Sequence, residues 1–258
     1  FTPLGIENHM SSSNLRKYQI DTMNKQFYQL VETGKKGLKK GENGLIVVLD
    51  SSSSMTGLVP GTKVSAYSVG KSLALYFSYL LEGTFHKAYL EFSRSTILKF
   101  WKGETPVEQL CNDNSCIIGD TNFLSVADHF GEIFKTGVLE SEFPTGILCV
   151  SDGCFNRSSS YLSTVRMFKE KLKQYGFSKS YIDNFKIVLW DIPNYYCEKT
   201  QTAFEEFADY PNVFHMSGLD GASIAFLTGV EGQTNTPKTS DELFQAAMNQ
   251  EILNMIEL

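Results

Sequence analysis

Five side chains in three short segments carry the oxygen atoms that a hard divalent cation prefers. Residues 50–54 read Asp-Ser-Ser-Ser-Ser and supply Asp50, Ser52 and Ser54. Thr121 ends a Gly-Asp-Thr segment, and Asp152 is the centre of a Ser-Asp-Gly segment. Mg²⁺ binds proteins through one or two carboxylates and keeps its other positions for oxygen ligands and water. The residue types therefore predict a site for Mg²⁺, or Mn²⁺ in its place, at Asp50, Ser52, Ser54, Thr121 and Asp152.

Each of these segments adjoins a predicted strand or helix. Asp50 follows the apolar run 45–49, Asp152 comes shortly after the run 147–150, and Thr121 precedes a segment with helical spacing, 122–136. Ligands of open α/β sheets bind beyond the carboxyl ends of the strands. A serine-rich segment alone is also typical of a helix cap or a turn. The three segments together favour a cation site on solvent-facing loops.

Short apolar runs alternate with longer segments of helical periodicity, which is typical of an α/β fold with a mostly parallel sheet. Only four residues separate the strands 88–92 and 97–101, so this pair must be a hairpin and one strand antiparallel. The remaining predicted strands are 45–49, 147–150, 185–190 and 213–215. The predicted helices are 15–33, 63–82, 122–136, 161–175, 201–209, 222–228 and 242–258.

The chain divides into three predicted regions. Residues 1–44 form an N-terminal extension, in which Gly34 ends the helix 15–33 and a basic linker follows. Residues 45–230 form the α/β domain, and residues 231–258 form a polar tether and a C-terminal helix. Apolar residues recur near helical spacing along that last helix. We expect it to dock on its own domain or to mediate self-association with a second copy.

Composition excludes several classes of protein. The net charge of −6 argues against a nucleic-acid-binding surface, which needs clustered Lys and Arg. No window approaches the roughly 18 to 20 apolar residues of a membrane helix, so no membrane partner is expected. Five cysteines, an odd number with no Cys-x-x-Cys pair, favour a reducing compartment and a cytoplasmic location. Cys111 and Cys116 have no histidine nearby in sequence, which argues against zinc.

The segments Asp-x-Ser-x-Ser at 50–54, Gly-x-Thr at 119–121 and Ser-Asp-Gly at 151–153 resemble the three loops of the metal-ion-dependent adhesion site of von Willebrand factor A domains. The resemblance covers about residues 44–230. It is closest to the intracellular branch of that superfamily, which includes the C-terminal module of the Ro autoantigen and a family of plants and large viruses. It implies a Rossmann-like fold with helices on both faces of the sheet.

The resemblance also implies roles for the five residues. Ser52, Ser54 and Thr121 would offer hydroxyl oxygens to the ion, and Asp50 and Asp152 would bind it directly or through water. Two carboxylates balance a divalent cation and leave a coordination position that attracts a partner's carboxylate. Ser53 and Asp120 stand where the family usually has glycine, which leaves the identity of the ligand open.

Two functions follow as hypotheses. The first is a non-enzymatic module that binds a protein partner, through an acidic side chain, at the ion. The alternative is a structural or assembly subunit in which the ion only braces the loops. An RNA-associated role, suggested only by the Ro resemblance, carries little weight because that family binds RNA through a separate helical region.

Catalytic alternatives have weaker support. The segment 65–72, Ser-Ala-Tyr-Ser-Val-Gly-Lys-Ser, lacks only the first glycine of a phosphate-binding loop. That loop must leave a strand and open a helix, whereas Gly70 falls inside a helical pattern. His86 and His215 adjoin predicted strands and are expected to be structural rather than to activate a nucleophile. We therefore expect no enzyme activity.

Overall fold

The computed structural model describes residues 17–38, 43–113, 119–153, 161–195 and 210–218. Their core is a six-stranded sheet with the strand order β3-β2-β1-β4-β5-β6. Strands β2 and β3 are antiparallel and every other pair is parallel. The strands are β1 (Leu45–Asp50), β2 (Ala88–Phe92), β3 (Thr96–Phe100), β4 (Gly146–Ser151), β5 (Lys186–Asp191) and β6 (Val213–Ser217). The predicted α/β, Rossmann-like fold with one antiparallel strand is confirmed.

Six α-helices surround this sheet in the described ranges. They are α1 (Lys17–Gly37), α2 (Ala66–Leu80), α3 (Pro106–Asn112), α4 (Leu124–Lys135), α5 (Tyr161–Tyr175) and α6 (Lys179–Asn184). The short helices α3 and α6 were not predicted. Helix α3 begins with a capping box, in which Thr105 and Glu108 each accept a hydrogen bond from the other's backbone N–H.

The two faces of the sheet carry separate hydrophobic cores because side chains alternate along each strand. On one face, Val47 and Leu49 pack with residues of α1, α2 and α3. On the other face, Ile46 and Val48 pack with residues of α4 and α5. The predicted placement of helices on both faces is therefore confirmed. Within the described part of the chain, no helix is long and apolar enough to cross a membrane.

Helix α1 continues past Gly34, so the prediction that it ends there is wrong. Gly34 is buried within the helix, and a Cβ at this position would overlap the Tyr76 hydroxyl of α2. The glycine allows two helices to approach closely instead of ending one of them. Lys35 and Lys36 form the last turn of α1, where positive charge is favourable, rather than part of a linker.

Gly70 and Lys71 lie in the interior of α2, so the segment 65–72 does not form a phosphate-binding loop. A Cβ at Gly70 would overlap the Leu49 side chain of β1, so this glycine permits close packing of helix on sheet. The Lys71 ammonium donates a 2.7 Å hydrogen bond to the backbone carbonyl of Asp113. Both residues therefore have structural partners.

The predicted helices 201–209, 222–228 and 242–258 and the polar tether lie outside the described residues. The prediction of self-association through the C-terminal helix stays a prediction.

Candidate metal centre

Strands β1 and β4 lie side by side at the centre of the sheet, and the chain leaves them in opposite directions. From β1 it passes through α2 on one face to reach β2, and from β4 it passes through α5 on the other face to reach β5. Such a switch point opens a crevice beyond the carboxyl ends of the two strands. Asp50 is the last residue of β1, and Asp152 directly follows β4.

Asp50 is buried under the loops that surround it, not solvent-facing as its sequence position suggested. Its Oδ1 accepts a 2.8 Å hydrogen bond from the backbone N–H of Ser52. Its Oδ2 accepts a 2.8 Å hydrogen bond from the Ser151 hydroxyl. Burial is the main cause that raises the Asp50 pKa to about 6. The hydrogen bonds from Ser52 and Ser151 lower this pKa, and the nearby Asp152 carboxylate raises it further.

The serine-rich segment after β1 folds into one turn of 3₁₀-helix, Ser53–Thr56. The Ser52 and Ser54 hydroxyl oxygens lie 3.1 Å apart, close enough for both to contact one ion. Ser53 has no left-handed backbone conformation, since Lys87 is the only non-glycine residue with positive φ in the described ranges. Glycine is therefore not required at position 53, and this departure from the family pattern costs no backbone strain.

Asp152 is held by a residue that the sequence did not single out. The Asn194 side chain is buried, and its Nδ2 donates a 3.1 Å hydrogen bond to Asp152 Oδ2. The same amide nitrogen donates a 3.1 Å hydrogen bond to the backbone carbonyl of Ser54. Asn194 therefore connects the loops that follow β1 and β4. A single Asn after a strand belongs to no recognisable sequence motif. The role of Asn194 becomes visible only in the folded sheet, where β5 lies beside β4.

Thr121 is buried on the neighbouring loop, three residues before α4 begins at Leu124. The next residue, Asn122, donates a 2.7 Å backbone hydrogen bond to the carbonyl of Ser93, just beyond β2. Strand β2 is hydrogen-bonded to β1, so this contact brings the loop to the same edge of the sheet. Hydrogen bonds join the loops of the other four predicted residues, and Thr121 lies on the loop beside them.

Asp120 is exposed and lies 3.4 Å from the Arg94 guanidinium, which is exposed too. The arginine offsets the extra negative charge that Asp120 brings to this end of the sheet. An exposed pair of this kind contributes little to stability, so its effect is on the local potential.

The residues at this edge fit a hard divalent cation rather than a thiolate or imidazole site. Within the described ranges no group of three or more His, Cys, Asp or Glu side chains is placed to hold a metal ion. The predicted donors are therefore two carboxylates together with three hydroxyls. Oxygen donors of this kind suit Mg²⁺ or Mn²⁺. A bound cation would also compensate the buried Asp50 carboxylate, whose ionisation is otherwise unfavourable.

Two histidines and one thiol of the described chain, His86, His215 and Cys149, have structural surroundings. His215 Nε2 lies 2.8 Å from Asp191 Oδ2 in a buried pair between β5 and β6. His86 Nδ1 lies 2.8 Å from the carbonyl of Leu81. Cys149 is buried in β4, and its burial raises the pKa of the thiol well above the usual range, as do Asp50 and Asp191 to a smaller extent. Such a thiol is a poor nucleophile.

No protein-family model matches the chain, and no curated protein matches it significantly. The resemblance to A domains therefore stays a prediction based on the three loops.

Proposed function

We propose that the protein is a non-enzymatic interaction module of the von Willebrand factor A type, which binds a protein partner through a divalent cation. One observation carries the proposal: hydrogen bonds between the loops gather Asp50, Ser52, Ser54 and Asp152 at the switch point of the sheet. Ligand sites of open α/β sheets lie at this position.

In this proposal the five oxygen donors divide into two kinds. Asp50 and Asp152 neutralise the charge of the cation, and Ser52, Ser54 and Thr121 contribute neutral oxygens. A cation held by so few charges keeps a position for water or for an outside ligand. A carboxylate is the favoured ligand, since the bound ion is the largest local charge in such a site. The partner would therefore present an Asp or Glu side chain.

A second function, a structural subunit in which the ion only braces the loops, has an observation in its favour. The Ser151–Asp50 and Asn194–Ser54 hydrogen bonds already tie the loops together. An ion held there could add rigidity without offering a position to any partner.

Water-proton relaxation of the Mn²⁺-loaded protein separates the two functions. An interaction module leaves water on the ion, and acetate added at millimolar concentration displaces it, so the relaxation enhancement falls. A bracing ion is fully enclosed, and acetate leaves the relaxation unchanged. Failure of Mn²⁺ to bind at all would remove both functions. The Asp50→Asn variant is the control for ion bound elsewhere.

A further inference from the structure

An exposed apolar pair lies beside the candidate metal centre, on the side of β5. Leu58 is 43% exposed and Tyr195 is 62% exposed. Both belong to segments that build the site: Leu58 follows the serine-rich turn, and Tyr195 directly follows Asn194. Scattered apolar residues are normal on a protein surface, but adjacent ones next to a ligand site are a feature of binding surfaces.

The two residues are held together by the backbone. The N–H of Tyr195 donates a 3.3 Å hydrogen bond to the carbonyl of Leu58. Leu58 also forms an antiparallel bridge with Ser65, just before α2. Because Asn194 is fixed to Ser54 and Asp152, the apolar pair has a set position relative to the metal centre. The exposed side chains are therefore presented by an ordered backbone, which lowers the entropic cost of binding.

The opposite side of the metal centre carries an exposed ion pair. Arg94 and Asp120, both exposed, lie beyond β2, whereas Tyr195 lies beyond β5. The strand order β2-β1-β4-β5 places the cation donors between these two surfaces. A ligand that reaches the ion therefore meets Leu58 and Tyr195 on the β5 side and the Arg94–Asp120 ion pair on the β2 side.

We propose that Leu58 and Tyr195 form the apolar part of the ligand surface, and that the partner is a protein segment with an acidic side chain next to an apolar one. The carboxylate occupies the open position on the ion, and the apolar side chain covers Leu58 and Tyr195. This inference rests on the proposed function, because the ion fixes the position of the carboxylate. It adds a second requirement that the ion alone does not impose.

A series of small monocarboxylates tests this inference. Acetate, 4-methylpentanoate and 3-phenylpropanoate are titrated into the Mn²⁺-loaded protein, and their affinities are measured from the water-proton relaxation rate. We expect 3-phenylpropanoate to bind about five- to tenfold more tightly than acetate, as covering a small apolar area predicts. Tyr195→Ser should remove most of that difference and leave the acetate affinity unchanged. Tyr18→Ser changes a tyrosine on α1 that is 60% exposed, and it serves as the matched control.

The other outcomes separate the two proposals. Equal affinity for acetate and 3-phenylpropanoate would overturn the apolar surface and leave the carboxylate-binding ion standing. Mn²⁺ binding without any carboxylate binding would overturn the apolar surface together with the interaction module. A metal-dependent dimer in sedimentation, lost in Tyr195→Ser, would assign the apolar pair to a second copy of the chain and overturn the proposed partner.

Discussion

The Ser151 hydroxyl donates a 2.8 Å hydrogen bond to Asp50 Oδ2, which joins the ends of two strands that are 101 residues apart in sequence. The bond forms because β1 and β4 are paired in register, from Leu45 opposite Gly146 to Leu49 opposite Val150. Ser151 thus stabilises the charged form of a buried carboxylate. That stabilisation is incomplete, since burial still raises the Asp50 pKa to about 6.

The raised pKa predicts a pH dependence of stability in the metal-free protein. The folded state holds the Asp50 proton up to about pH 6, whereas the unfolded chain releases it near 3.8. The free energy of unfolding should therefore fall as pH rises through this window, by about 3 kcal/mol for the change from 3.8 to about 6. Other carboxylates change stability too, so the difference between wild type and Asp50→Asn isolates this contribution.

Urea unfolding with a chelator present, at several pH values from about 4 to about 7, provides that difference. The free energy of unfolding of Asp50→Asn should increase relative to that of the wild type as the pH rises, because the asparagine cannot ionise. A constant difference across the window would mean that Asp50 is not a buried, destabilised carboxylate.

Asn194 should tune the affinity of the ion without binding it directly. Asn194→Ala removes the amide that donates a hydrogen bond to Asp152 Oδ2, so this proposed ligand is no longer held in position. Partners that orient metal ligands typically contribute about 10- to 100-fold to affinity. We expect a Mn²⁺ affinity weaker by about that factor for Asn194→Ala, measured by calorimetry.

A matched control for Asn194→Ala is Asn184→Ala, since Asn184 donates to the carbonyl of Ser180 within α6, away from the metal centre. Equal Mn²⁺ affinities for wild type and Asn194→Ala would show that the hydrogen bond to Asp152 does not position the ligand.

Gly34 should tolerate no side chain while Tyr76 keeps its hydroxyl. The Cβ of Gly34→Ala would meet the Tyr76 oxygen most closely and the adjacent ring carbon less so. Overpacking of this kind typically costs about 1–3 kcal/mol of unfolding free energy. Tyr76→Phe in the same chain should recover part of the loss, which a double-mutant cycle measures. Additive effects of the two substitutions would show that the helices do not meet at this point.

Lys71 should matter for stability and not for any reaction of ATP. Its ammonium is buried, lies 3.6 Å from the Asp113 carboxylate and donates to the Asp113 carbonyl. Lys71→Ala removes the ammonium that donates to the Asp113 carbonyl, at a cost of about 1–3 kcal/mol, whereas the Asp113 carboxylate keeps its contacts with Lys99 and Tyr89. Wild type should hydrolyse no ATP. Hydrolysis that is present in wild type and lost in Lys71→Ala would contradict the placement of this lysine in a structural role.

The strands could be predicted closely because buried parallel strands appear as uninterrupted apolar runs. The antiparallel pair followed from the short connection before Thr96. Helix ends were harder to predict. Gly34 has a low helix propensity, but it lies inside α1 because the close approach of Tyr76 leaves no room for a side chain. Helices α3 and α6 are too short for periodicity to show, although Thr105 and Glu108 carry a capping signal in the sequence.

The sequence could predict where Asp50 and Asp152 lie in the fold, but not which residues hold them there. Asp50 and Asp152 stand at strand ends, and their position in the sequence is enough to bring them to one edge of the sheet. The burial of Asp50 depends on the loops that cover it, and its contact with Ser151 depends on strand register. Asn194 follows a strand that only the folded sheet places beside Asp152.

Calorimetric titration of the chelator-treated protein with Mn²⁺ tests the central claim, that Asp50 and its neighbours hold a divalent cation. The account predicts binding at one site per chain in wild type, and a loss of more than about a hundredfold in Asp50→Asn, since a direct ligand matters more than its positioning partners. Lys71→Ala, which changes a residue of α2 outside the donor set, should bind Mn²⁺ as wild type does. Equal Mn²⁺ affinity in wild type and Asp50→Asn would contradict the account.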